Sequence, residues 1–167
     1  WPGAPEWVPE KWVSEYHKYL NTFCHNLNLI RYFMKKTPDI EYAELSKNKG
    51  QIVVMNFGYF RAVLETKNYN DDDWDEITEI FFEQGCLQIK TPPQQLINVP
   101  AKVRLYKRKS SDQVLIPKRA WTWSFKHQAE AFVSDISFHN ENLSSGEDSM
   151  QDLLLAEKIW RYWVTPN

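Results

Sequence analysis

An imidazole, two carboxamides and a phenol recur along one stretch of this chain. His25, Asn28 and Tyr32 follow Asn21 at plus four, plus seven and plus eleven, offsets that put all four in one line along a helix. His25 is the acid or base candidate of that line, because imidazole moves a proton near neutral pH. Asn21, one turn earlier, is placed to hydrogen-bond the imidazole or a hydroxyl that His25 would act on. The spacing equally admits a histidine at a helix–sheet boundary whose ring is satisfied by a backbone carbonyl.

Other chemistries fit less well. His17 and His25 lie about 12 Å apart along a helix axis, too far to share an ion. His127 and His139 have no zinc-like Cys or carboxylate pattern. Cys24 adjoins His25, but consecutive helical residues diverge, which disfavours a Cys–His nucleophile pair. The glycines are scattered singly, so no phosphate loop or dinucleotide fingerprint is present. The acidic run Asp71-Asp72-Asp73 lacks the spaced ligands and central glycine of a calcium loop and reads as solvated. Lys107-Arg108-Lys109 reads as a solvated hairpin tip ahead of a phosphate site. Trp121, Trp123, Trp160 and Trp163 read as core or interface anchors, with a sugar-stacking platform as the minor alternative.

The polar line needs a helix, and an apolar stripe beside it supplies one. Tyr16, Leu20, Phe23, Leu27, Ile30 and Met34 recur at spacings of three and four. The pattern predicts a helix from about Lys11 to Lys36, with a break considered at Tyr19–Asn21. Thr37-Pro38 ends it, because the residue before proline is pushed out of the helical region.

The middle of the chain reads as strands: 40–45, 51–57, 59–67, 77–84 and 86–90, then a pair at 101–107 and 113–116. Lys49-Gly50 and Gln84-Gly85 suit tight turns in which glycine supplies positive φ. Ile77, Glu79, Phe81 and Glu83 alternate with Thr78, Ile80 and Phe82, so both faces carry apolar groups, one open to helices and one to another subunit. Phe125, Ala129, Phe132, Val133 and Ile136 mark one closing helix. Met150, Leu153, Leu154, Glu157, Trp160 and Val164 mark a second, which Ser145 and Asp148 precede as a capping-box pattern. The order predicts an α+β fold with an open, mostly antiparallel sheet, a long N-terminal helix and two C-terminal helices.

The chain has 167 residues, 43% of them hydrophobic and 15% aromatic, with net charge −2. That length suits one domain, 11–167, behind an irregular proline-bearing lead-in, 1–10, expected to come from a preceding domain. Nothing in the charge balance calls for nucleic acid. Apolar runs fall short of the roughly 20 residues of a membrane span. Two isolated cysteines, Cys24 and Cys86, and no signal-peptide pattern lead us to expect a cytoplasmic protein.

In their order these pieces resemble the C-terminal domain of the Gfo/Idh/MocA oxidoreductases. That domain opens on an Asp-x-x-x-His stretch followed by an Ile/Leu-Asp-Leu-Leu-Arg-like run, and Asn21-Thr22-Phe23-Cys24-His25 through Asn28-Leu29-Ile30-Arg31 is similar. Its Gly-x-x-Gly-x-Leu strand pair resembles Phe82 to Ile89, with Gly85 and Leu87 kept, and its closing helices resemble Ser124–Val133 and Ser145–Arg161. The resemblance implies helices on one sheet face and a homo-oligomer contact on the other. It implies that NAD or NADP binds an N-terminal Rossmann domain in the full-length protein, with no cofactor on this stretch, while this domain holds a sugar, cyclitol or similar polyol. His25 and Asn21 would be catalytic, with Asn28 and Tyr32 on the substrate. Both acids of the motif are amides here, and Glu10-Lys11-Trp12 is not the family's Glu-Lys-Pro. Two rival expectations therefore stand beside it. One is a non-catalytic binding or scaffolding paralogue. The other is an unrelated small-molecule-binding domain, with a closed, apolar sheet face beside His25.

Overall fold

The computed structural model describes residues 3–46, 50–66, 76–109, 113–116, 123–138 and 144–165. Trp1, Asn48, Lys49, Asp71 to Asp73, Trp121 and His139 lie outside these residues. In chain order the elements are a 3-10 turn (Glu10–Trp12), α1 (Val13–Met34), β1 (Asp39–Glu44), β2 (Gln51–Asn56), β3 (Arg61–Thr66), β4 (Glu76–Phe82), β5 (Gly85–Thr91), β6 (Lys102–Lys107), β7 (Gln113–Leu115), α2 (Ser124–Phe138) and α3 (Gly146–Val164). The α+β class is as expected. The strands are divided between two antiparallel meanders, β1-β2-β3 and β4-β5-β6-β7. The chain forms two compact units, Trp1–Asn68 with Leu143–Asn167, and Tyr69–Asn142.

In the first unit α1 packs on α3, and α3 on β1. The apolar stripe of α1 does what its spacing predicts. Tyr16 and Leu27 are buried, while Leu20, Phe23, Ile30 and Met34 pack against the same core. The helix runs unbroken through Tyr19–Asn21, because Tyr19 turns its ring into the core. Its partner is Trp160 of α3, fully buried, whose ring centroid lies 5.9 Å from that of Tyr19 and 5.3 Å from that of Tyr16. Both pairs are edge-to-face, the arrangement that ring quadrupoles prefer. Trp163 stands 5.3 Å from Trp160, so these two tryptophans are structural. Trp7 closes the cluster, edge-on to Tyr16 with the Arg161 guanidinium over its face.

Helix α1 stops at Lys35, which still donates its N–H to the Arg31 carbonyl while its left-handed φ of 52° turns the following chain out of the helix. The stop falls just before Thr37-Pro38, since this local cap acts before the proline does. At the start of α3 the Ser145 hydroxyl accepts from the Asp148 N–H at 3.1 Å, as the capping pattern predicts.

The second unit holds β4 to β7 and α2. No described side chain in it is fully buried. Helix α2 carries its apolar stripe, Phe125, Phe132, Val133 and Ile136, in exposed positions. The pleat of the sheet sorts its residues as the alternation implied. Ile80, Leu87 and Leu105 stand in one cross-strand row, and Glu79, Gln88 and Arg104 in a row of the opposite face.

The two turn glycines have different reasons. Gly50 has φ +78°, as expected of a hairpin turn. Gly85 instead begins β5, and a Cβ there would stand 2.0 Å from the Tyr106 carbonyl oxygen of β6. What excludes a side chain at 85 is this neighbouring backbone, not the sign of φ. Gly85→Ala must therefore push two paired strands apart. We expect a loss of about 1–3 kcal/mol in urea unfolding. An unchanged midpoint would mean that the strands part freely.

Among the described residues no helix is long and apolar enough to cross a membrane.

Candidate functional site

The polar line of α1 divides in two. Asn21 and His25 are exposed, and neither side chain has a hydrogen-bond partner among the described residues. They face outward because Phe23 and Leu27, between and beyond them, hold the opposite side of the helix on the core. Cys24 turns partly inward and its thiol donates to the Asn21 carbonyl at 3.8 Å. Burial pushes that thiol up, which keeps it protonated and removes it from consideration as a nucleophile. Tyr32 is half exposed, with the Lys35 ammonium 4.1 Å from its ring centroid. A cation over the ring occupies one of its faces.

Asn28 is the residue drawn elsewhere. Its amide donates to Asp148 Oδ2 at 3.0 Å and to Asp152 Oδ2 at 2.9 Å, both on α3. Arg31, one turn on, completes the junction. Its Nη2 donates to Asp148 Oδ1 at 2.7 Å and its Nη1 to the Asp148 carbonyl at 3.0 Å, with a further ion pair from Nη1 to Asp152. The Asp152 side chain is 8% exposed and the Arg31 side chain 13%. Two carboxylates thus share one guanidinium and one amide, with the positive end of the α3 dipole at Asp148. The Arg31 hydrogen bonds hold the Asp148 carboxyl below the ordinary carboxylate range.

Arg31, Asp148 and Asp152 did not stand out as a group in the sequence. The signal was present, since Asp148 and Asp152 are four apart on α3 and Arg31 is three beyond Asn28 on α1. What was missing is the pairing of two helices more than a hundred residues apart.

The junction supplies a physical reason for an amide at 28. A carboxylate there would be a third against one arginine, and the two donated hydrogen bonds would be lost. Asn28→Asp should therefore cost about 1–3 kcal/mol in equilibrium unfolding at neutral pH. A neutral substitution would show that Asn28 contributes nothing to the α1–α3 contact.

Among the described residues no group of three or more His, Cys, Asp or Glu is placed to hold a metal ion. Both sheets are antiparallel, so the described strands contain no βαβ unit on which a dinucleotide pyrophosphate could rest. Comparison with known protein families, curated proteins and solved structures returns no match.

Proposed function

We propose that this chain is the substrate-binding and oligomerisation domain of an NAD(P)-dependent oxidoreductase acting on a sugar, cyclitol or similar polyol. The observation that carries this reading is the placement of His25. A histidine within a motif-like stretch projects, unpartnered, from a helix whose other side is locked into the core. Such a group can meet a substrate held against it by another domain. His25 takes the proton of the reacting hydroxyl, and Asn21 orients that hydroxyl or the imidazole by hydrogen bonding. The dinucleotide, held on a separate domain, supplies the hydride chemistry.

A second reading has its own observation. Asn28, assigned to substrate by the resemblance, donates its amide to Asp148 and Asp152. That employment favours a non-catalytic binding or scaffolding domain with the same architecture. The two readings part on the complete protein extended to its native start. Titration with NAD(H) and NADP(H), followed by a screen of polyols for hydride transfer, supports the oxidoreductase if cofactor binds and a polyol turns over. Failure to bind either cofactor overturns it in favour of the scaffold.

A further inference from the structure

A hollow of about 410 Å³ opens at the end of the second unit's sheet, far in character from the amide-and-imidazole line of α1. Its construction follows from strand register. Phe82 of β4, Gly85 of β5 and Lys107 of β6 stand in one cross-strand row. Side chains of such a row project from the same face. The central member has none and can have none, because the Tyr106 carbonyl excludes a Cβ at 85. The row therefore carries side chains only at its two ends, Phe82 and Lys107. Leu105, in the next row on the same face, also lines the hollow. The turn after β6 brings Arg108 and Lys109 to the rim, fixed by the Arg108 N–H donating to the Gln84 carbonyl at 3.0 Å.

The charge is out of proportion to the chain. Net charge is −2 overall, yet Lys102, Arg104, Lys107, Arg108 and Lys109 fall within eight consecutive residues. Lys107, Arg108 and Lys109 line the hollow and, among the described residues, no carboxylate does, while Lys102 and Arg104 stand in rows of the opposite face. The run 107–109 is exposed, as its sequence suggests, and lines one side of this concavity.

The geometry points to a binding site for a phosphorylated ring compound, its ring lying over Gly85 beside Phe82 and its phosphate on Lys107, Arg108 and Lys109. Nucleotides and sugar phosphates share this chemistry. The site is independent of His25 and of the oxidoreductase reading.

Calorimetric titration of the full chain with ADP, with glucose 6-phosphate and with inorganic pyrophosphate tests it. At least one ring compound should saturate with Kd below about 1 mM and bind more tightly than pyrophosphate. ADP alone would identify a nucleotide site, and glucose 6-phosphate alone a sugar-phosphate site. Lys107→Gln with Lys109→Gln should weaken binding about tenfold or more, the effect of removing charge-assisted phosphate contacts. Phe82→Ala should weaken the ring compound and leave pyrophosphate unchanged. All three residues are exposed, so circular dichroism should be unaltered. The inference is overturned if none of the three compounds saturates, if pyrophosphate binds as tightly as the ring compounds, or if either variant leaves ring-compound binding unchanged.

Discussion

Arg31→Met should destabilise the protein by about 3 kcal/mol or more, among the largest losses available to a single substitution outside the aromatic core. The reason is asymmetry. The pair itself adds little net stability, because both ions must be taken out of water. Removing only the cation leaves the Asp152 carboxylate, 8% exposed, with Asn28 as its remaining donor, beside a second carboxylate at Asp148. The expected readout is a lower urea midpoint with an unchanged slope, since the surface exposed on unfolding barely changes. Arg31→Met combined with Asp152→Asn should recover a substantial part of the loss, since the stranded charge is then gone. A cost below about 1 kcal/mol for the single change would place this contact with ordinary surface pairs. A double variant no better than the single one would show that the loss comes from packing of the Arg31 side chain.

The same contact fixes an acid limit. The Arg31 hydrogen bonds lower the folded-state pKa of Asp148 from its ordinary 3.8. The stabilisation is therefore complete above pH 3.8 and drains away as pH falls through the lower folded value. In Arg31→Met this acid-side slope should flatten.

How far the sequence discloses this architecture depends on the range of the interactions that decide each feature. The apolar stripe of α1, the Ser145 cap and the alternation along β4 are settled within a few residues, and all three are legible. Features decided by a remote partner are not. Tyr19, three residues after Tyr16 and four before Phe23, shares the helical period of the stripe, and only its contact with Trp160 is decided remotely. Gly85 reads as a turn glycine until the Tyr106 carbonyl is in place beside it. No local pattern tells β3 and β4 not to pair, so the division into two sheets is invisible in the strand sequences. The candidate site divides along the same line. Asn21 and His25 are where helical period puts them, exposed and together. Asn28 has the same periodic claim, but two carboxylates from the far end of the chain take its amide. Periodicity can say which residues share a face. It cannot say which of them that face will spend on its neighbours.

His25→Ala should then separate chemistry from structure more sharply than any other substitution in α1. The imidazole is exposed and makes no hydrogen bond among the described residues, so its removal should move the unfolding free energy by no more than about 0.5 kcal/mol. On the proposed oxidoreductase reading, turnover of the complete protein should nevertheless fall by about 10²–10⁴, the range of a lost general acid–base group. Asn21→Asp supplies a complementary test with the ring intact. A carboxylate one turn before His25 favours the charged imidazole, so the acidic limb of the kcat/KM profile should move to higher pH. A limb that stays in place would show that the titrating group is not His25. If His25→Ala instead lowers stability and turnover in parallel, or leaves turnover untouched, the imidazole is not the acid–base group. The exposed face of α1 at Asn21 and His25 would then be no part of an active site.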